Sequence, residues 1–171
     1  MRLLAAFIIF GLLACLSAAC SKTTVYLVRH AEKVDETDST DLSPSGQERA
    51  MALADTLANG GIDSIFTTPY RRTRQTAEPL ARRLSIRLME YAPTPNDVVV
   101  SRVSRIRNKT VLVVGHSNTV LEIARALGAT PTLPKIESGD YDNLLTLRIK
   151  RRPFGKTVDL SEKTYGPATR P

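Results

Sequence analysis

Thr110–Asn118 reads TVLVVGHSN, and its reading decides the fold. Four consecutive apolar residues, Val111 to Val114, show no alternation of apolar and polar positions. A strand buried on both faces of a sheet has that pattern. Such strands belong to parallel sheets with helices packed on either side. The next residues, NTVLEIARALGA, read as a helix, with Thr119 and Glu122 at capping-box spacing and Gly128 near its end. Upstream, Val25–Lys33 (VYLVRHAEK) repeats the arrangement: an apolar strand that runs into Arg29-His30. His30 and His116 are the chain's only histidines.

Between these two strands the pattern alternates. LSPSGQERAMALADTLANGG predicts a helix capped by Ser43, with Pro44 at its first position and Gly60-Gly61 ending it. Ala50, Leu53, Ala54 and Leu57 share one face of it. Ile62–Thr68 predicts a second strand, and RTRQTAEPLARRL a helix that Pro79 bends or breaks. Ser85–Tyr91 predicts a third strand, and a helix starts near Asn96. After the 110–115 strand and its helix, Asn143–Lys150 alternates as a further strand, and GKTVDL suggests a short edge strand. Residues 161–171 read as a loose tail. The expectation is a three-layer α/β/α fold whose central sheet is mainly parallel.

Ligands of such folds sit beyond the carboxyl ends of the strands. Arg29-His30, Gly115-His116 and Thr68-Pro69-Tyr70-Arg71-Arg72 all fall at that edge. A phosphate monoester is close to a dianion at neutral pH, and an arginine offers it a planar fork of donors. Phosphoryl transfer needs charge stabilisation and an in-line nucleophile, and a neutral imidazole can be that nucleophile. Arginines nearby disfavour the imidazolium and keep the ring neutral. Gly115 lets the backbone approach a ligand closely.

LVRHAEK, TTPYRRTRQTA and VVGHSNTV, with the LSPSGQERA helix start, resemble in order the motifs of the histidine phosphatase superfamily, also called phosphoglycerate-mutase-like. The likeness spans residues 24–149. It implies that His30 is phosphorylated in the intermediate, that Arg29 and Arg72 bind phosphate, and that His116 completes the pocket. Thr76 and Ser117, within the second and third motifs, are carried as further substrate-binding positions. Ala31 stands where glycine is commoner. The Arg-His-Gly-x-Arg-x-Pro and His-Asp signatures of the acid-phosphatase branch are missing, so the likeness is to the other branch, and most to its small phosphatases, including those acting on phosphohistidine.

The family places a glutamate proton donor after the second motif's helix, and Glu90 is the nearest match; Asp35, Glu36 and Asp38 of the acidic loop are alternatives. No metal or cofactor is expected, since arginine supplies the positive charge. The expected substrate is a phosphorylated small molecule or a phosphoprotein. Two alternatives stand beside a phosphatase: a mutase-type phosphotransferase and a non-catalytic phospho-ligand binding protein. Specificity is expected in the loops Lys33–Asp41, Tyr91–Asp97 and Thr132–Asp142.

The amino terminus has its own logic. Arg2 precedes an uncharged run from Leu3 to Cys20, with Ser17-Ala18-Ala19 directly before the cysteine. Residues 1–19 resemble a bacterial lipoprotein signal with lipidation at Cys20, and Cys15 is a second candidate. The alternatives are simple cleavage and an uncleaved anchor. An exported, envelope-bound domain over residues 20–160 is expected, tethered to the membrane at Cys20. Both cysteines lie in or at the edge of this segment, so the domain relies on no disulfide. The net charge of +7 suits anionic ligands or solubility alike. KRRPFGK, Lys150–Lys156, reads as a solvated turn, with contact to anionic headgroups as the alternative if a lipid anchor lies near, and no nucleic-acid partner is expected.

Overall fold

The computed structural model describes residues 20–169; the signal reading of residues 1–19 lies outside them. Six strands and four helices alternate as expected: β1 Ser21–Arg29, α1 Pro44–Leu57, β2 Ile62–Thr67, α2 Arg71–Leu84, β3 Leu88–Glu90, α3 Asp97–Arg105, β4 Thr110–Gly115, α4 Val120–Ala126, β5 Asn143–Arg152 and β6 Gly155–Thr164. They form one sheet in the order β3-β2-β4-β1-β5-β6. β3, β2, β4 and β1 are parallel, and the β5–β6 hairpin extends the sheet antiparallel beyond β1.

β4 shows why its sequence has no alternation. Val111 and Val113 pack into the core layer that includes Val99 and Val103 of α3 and Val120 and Ile123 of α4. Leu112 and Val114 pack into the opposite layer, with Leu53 and Leu57 of α1 and Leu80 of α2. Both faces of the strand are therefore apolar environments, and each fully buried side chain contributes on the order of 1.5–3 kcal/mol. The three-layer α/β/α arrangement is the one expected.

α1 begins where its cap residues place it: Ser43 Oγ accepts the Gly46 N–H at 3.1 Å, and Pro44 occupies the first turn. Gly46 lies against the backbone of the loop that follows His30, and a β-carbon there would run into the Glu32 carbonyl. Gly46→Ala is expected to cost about 1–3 kcal/mol as the loop and helix are forced apart, read as a lowered denaturation midpoint.

Three elements differ from the sequence reading. β3 covers three residues instead of seven, because Ser85 takes a left-handed φ of 55° and closes α2, its N–H donating to Arg82 O. The chain thus enters β3 only at Leu88. The capping box does not form: Thr119 Oγ1 accepts the His116 N–H at 3.0 Å, and Glu122 instead accepts from Asn96 Nδ2 at 2.8 Å. Residues 161–164 continue β6 in place of a loose tail. Beyond them Tyr165 is buried, and Thr169 N–H donates to Asp142 Oδ2 at 2.8 Å. Charged residues along β6 hide a strand whose Val158 and Leu160 pack against the core. Among the described residues no helix is long and apolar enough to cross a membrane.

Candidate active site

Adjacency of β1 and β4 in the sheet brings the two histidines together. Pairing continues one residue past β1, where His30 N–H donates to Gly115 O at 2.9 Å. The imidazole centroids of His30 and His116 lie 5.4 Å apart. A cleft of about 490 Å³ opens over them, with Arg29, Arg72, Lys33, Glu36, Tyr70 and Ser117 among its lining residues.

The His30 ring is oriented by its own backbone: Nδ1 lies 2.8 Å from Ala31 O. A carbonyl only accepts, so Nδ1 carries the proton and Nε2 keeps its lone pair. Burial, with the charges of Arg29, His116 and Arg72 adding to it, pulls the His30 pKa down to about 3. His116 is brought to about 4 by burial first, then by Arg72 and Arg29. Both rings are neutral at physiological pH.

His116 is held by a relay of hydroxyls. Its Nε2 lies 3.1 Å from Thr68 Oγ1, which lies 2.9 Å from Thr73 Oγ1. The Thr73 hydroxyl donates to backbone carbonyls of Thr68 and Tyr70 at 2.9 and 2.8 Å. Because the relay ends on acceptors, its donors point outward from the ring, and His116 Nε2 carries a proton. Tyr70 packs edge-on against His116, 5.4 Å between centroids. Gly115 is needed beneath the ring, since a β-carbon there would lie 2.9 Å from Thr119 Oγ1 and 3.2 Å from the Tyr91 hydroxyl.

Arg29 and Arg72 are both buried, and each keeps an Nε–H without a protein partner. Their other donors are partly used. Arg29 Nη1 reaches the carbonyls of Glu137, Ser138 and Asp140 at 2.7–2.9 Å, and its guanidinium lies 4.0 Å above the Tyr141 ring. Arg72 Nη1 donates to Asp38 O at 3.1 Å and lies over Tyr70. Arg72 has only the exposed Asp38 carboxylate 3.7 Å away, and no carboxylate pairs with Arg29 among the described residues. Two cations so weakly matched in a buried setting cost free energy unless an anion joins them.

Two expected site residues stand elsewhere. Thr76 is fully buried behind the cleft; its hydroxyl accepts the Ala31 N–H at 2.9 Å and donates to Arg72 O at 2.7 Å. It positions the chain beside His30 and Arg72 and does not reach the substrate space. Glu90 does not line the cleft: its exposed carboxylate accepts from Arg74 at 3.2 Å. At the cleft wall stands Glu36 instead, on the acidic loop, 2.5 Å from Lys33 Nζ. Ser117 lies along the lining. Glu32 turns away from the histidines toward Arg49. The three loops assigned to specificity all contribute, through Lys33 and Glu36, Pro93 and Thr94, and Ser138. Tyr70 and the Thr68–Thr73 relay were not anticipated; the tyrosine's place directly before α2 was the available signal.

The depressed histidine pKa values have a consequence for stability. Above pH 6.5 both rings are neutral whether the chain is folded or not. Between 6.5 and the folded values near 3 and 4, only the unfolded chain binds the protons, so stability falls as pH falls. The loss is expected to be roughly 2 kcal/mol per imidazole at pH 5. Denaturant midpoints at pH 7 and 5 measure it, and a His30→Gln/His116→Gln variant should show a flatter dependence.

The profile of the histidine phosphatase superfamily, branch 1, matches residues 25–93. The uncharacterized protein Rv0525 of Mycobacterium tuberculosis is 35% identical over 69 residues, covering 36% of this chain and 34% of its own. The match thus spans about a third of that relative. Among solved structures, a protein assigned as phosphohistidine phosphatase SixA from Agrobacterium tumefaciens superposes with TM-score 0.61 at 23% identity, over 81% of this chain and 97% of the other. The mycobacterial glucosyl-3-phosphoglycerate phosphatase Rv2419c, solved with VO3, superposes with TM-score 0.65 at 15% identity, over 84% and 99%. These structural likenesses concern the fold.

Proposed function

We propose that this chain, whose residues 25–93 match the histidine phosphatase superfamily, is a phosphomonoesterase of that superfamily working through a phosphohistidine at His30. The observation that carries this reading is the His30 tautomer, with Nδ1 tied to Ala31 O and Nε2 left free beside two buried arginines. The phosphoryl group docks between Arg29 and Arg72. Nε2 attacks phosphorus, the bond to the leaving group breaks, and the leaving group departs with its electron pair. Water then attacks phosphorus, the P–N bond breaks, and its electrons return to Nε2. The His116 Nε2–H rests on Thr68 Oγ1, and in this reading it exchanges that hydroxyl for a phosphoryl oxygen as charge moves onto it.

The leaving group needs a proton in proportion to its basicity. Glu90 is tied up outside the cleft, and Glu36 is exposed and paired with Lys33. Weak provision for acid catalysis favours leaving groups that depart readily, such as a phenol or the imidazole of a protein phosphohistidine. Export and attachment at Cys20, exposed at the start of β1, complete the proposal and set it apart from a mutase drawing on a cytoplasmic pool.

Turnover of an aryl phosphate, a phosphorylated imidazole and an alkyl phosphate, measured with chelator present, tests this. Aryl and N-phosphoryl substrates are expected to exceed the alkyl ester by on the order of 100-fold, and Glu36→Gln to slow the alkyl ester more than the aryl one. Phosphate binding without turnover of any substrate would point to a binding protein. Transfer of the phosphoryl group to a second hydroxyl would point to a mutase.

A further inference from the structure

The edge of the sheet opposite the cleft is also charged, and nothing in the phosphatase chemistry uses it. β1 starts there, at Ser21, and pairs with the tip of the β5–β6 hairpin: Ser21 faces Arg151 and Lys22 faces Lys150. The chain entering β4 lies alongside, with Lys22 N–H donating to Asn108 Oδ1 and Thr24 N–H to Lys109 O, both at 3.0 Å. Lys22, Arg107, Lys109, Lys150, Arg152 and Lys156 therefore gather at one end of the molecule. Two of these cations are paired, Lys109 with Asp63 and Lys150 with Asp159, which leaves Lys22, Arg107, Arg152 and Lys156 in excess there. Arg107 lies near enough to Arg151 to help lower its pKa, after the larger effect of burial.

Two features distinguish this end from an ordinary solvated charge cluster. Phe154, at the hairpin tip next to Pro153, is 95% exposed, the most exposed large apolar side chain described. Cys20 shares a groove with Arg152, Pro153, Phe154 and Lys156, so a lipid carried at the proposed attachment point joins the domain beside that tip. Cations around an apolar point, beside the proposed lipid attachment point, match the chemistry of a bilayer interface: anionic headgroups outside and hydrocarbon below. A nucleic-acid backbone would match the cations but not the apolar point.

We propose that the β5–β6 hairpin tip docks on an anionic phospholipid surface, Phe154 inserting among the headgroups while the surrounding lysines and arginines pair with them. Along β1 the rise from Lys22 to His30 is about 26 Å. Docking thus holds the catalytic cleft away from the bilayer, opening toward a soluble phosphorylated partner. The inference rests on charge and shape at this end and stands whatever the cleft hydrolyses.

The chain has no tryptophan, so Phe154→Trp provides a single fluorescent reporter at the tip and Val34→Trp one near the cleft. Each full-length variant is reconstituted in vesicles of phosphatidylcholine alone or mixed with phosphatidylglycerol. Emission from the tip reporter is expected to shift to the blue and to be quenched by brominated lipid in the anionic vesicles only. High salt should reverse both effects, and the cleft reporter should stay water-exposed throughout. Changing the exposed Lys22, Lys150 and Arg152 to glutamine should weaken docking by on the order of 100-fold while aryl phosphate turnover is unchanged. A tip reporter that stays water-exposed on anionic vesicles, or a cleft reporter quenched in its place, would overturn the proposal. So would a response of the tip reporter to duplex DNA larger than its response to vesicles. Because turnover is followed in the same samples, failure of docking and failure of the phosphatase reading are seen separately.

Discussion

Replacing His30 with alanine is expected to lower aryl phosphate turnover by roughly 10³-fold or more, because the attacking atom itself is removed. Alkaline quenching of a reaction with labelled substrate should trap phosphoenzyme in the wild-type protein and none in the variant; the alkaline condition preserves a P–N bond. His116→Ala should retain labelling but lose about 10²–10³-fold in rate, the usual cost of one transition-state donor. The residue pair thereby separates covalent from electrostatic roles. Equal labelling of wild type and His30→Ala would end the reading of His30 as nucleophile. Because Nε2 is free of a proton down to about pH 3, loss of kcat/KM between pH 7 and 5 should follow the second ionisation of the substrate phosphate, near 6, and not the nucleophile.

Arg49→Ala is expected to cost about 3 kcal/mol, the lower part of the range for breaking a buried ion pair. Arg49 is 2% exposed. Its Nε lies 2.9 Å from both Glu32 carboxylate oxygens, and Nη2 lies 2.7 Å from one of them. Its Nη1 donates to Tyr165 O at 3.0 Å, so one side chain joins the loop after His30, helix α1 and the end of β6. Glu32 stays partly exposed, which moderates the penalty for leaving it alone. A thermal melt should fall by about 10 °C. A double variant, Arg49→Met with Glu32→Met, should recover part of the loss, since it leaves no unpaired charge. Recovery to no degree would show that the guanidinium matters through Tyr165 and not through Glu32.

What the sequence revealed depended on whether a signal was local. The unalternating β4, the capped start of α1 and the strand-terminal histidines are each written within ten residues, and the structure shows all three as read. His30 and His116 converge because their strands are neighbours, which follows from the fold class. Arg49 with Glu32 is invisible at that scale: a charged residue on an amphipathic helix reads as solvated until the loop it meets is placed. Glu90 stands outside the cleft lining for a related reason. Its strand is only three residues long at the sheet edge, and its carboxylate meets Arg74 there. Thr76 belonged to the right motif but served the backbone behind the cleft. β6 was underestimated because charge dominates its exposed positions, while two apolar residues carry its packing.

Arg29 holds the carbonyls of residues 137, 138 and 140 with the same guanidinium that faces the phosphoryl site. Entrance and floor are therefore one mechanical unit. Whatever displaces that rim segment also slackens the grip on the anion, and an anion that engages Arg29 braces the rim in return.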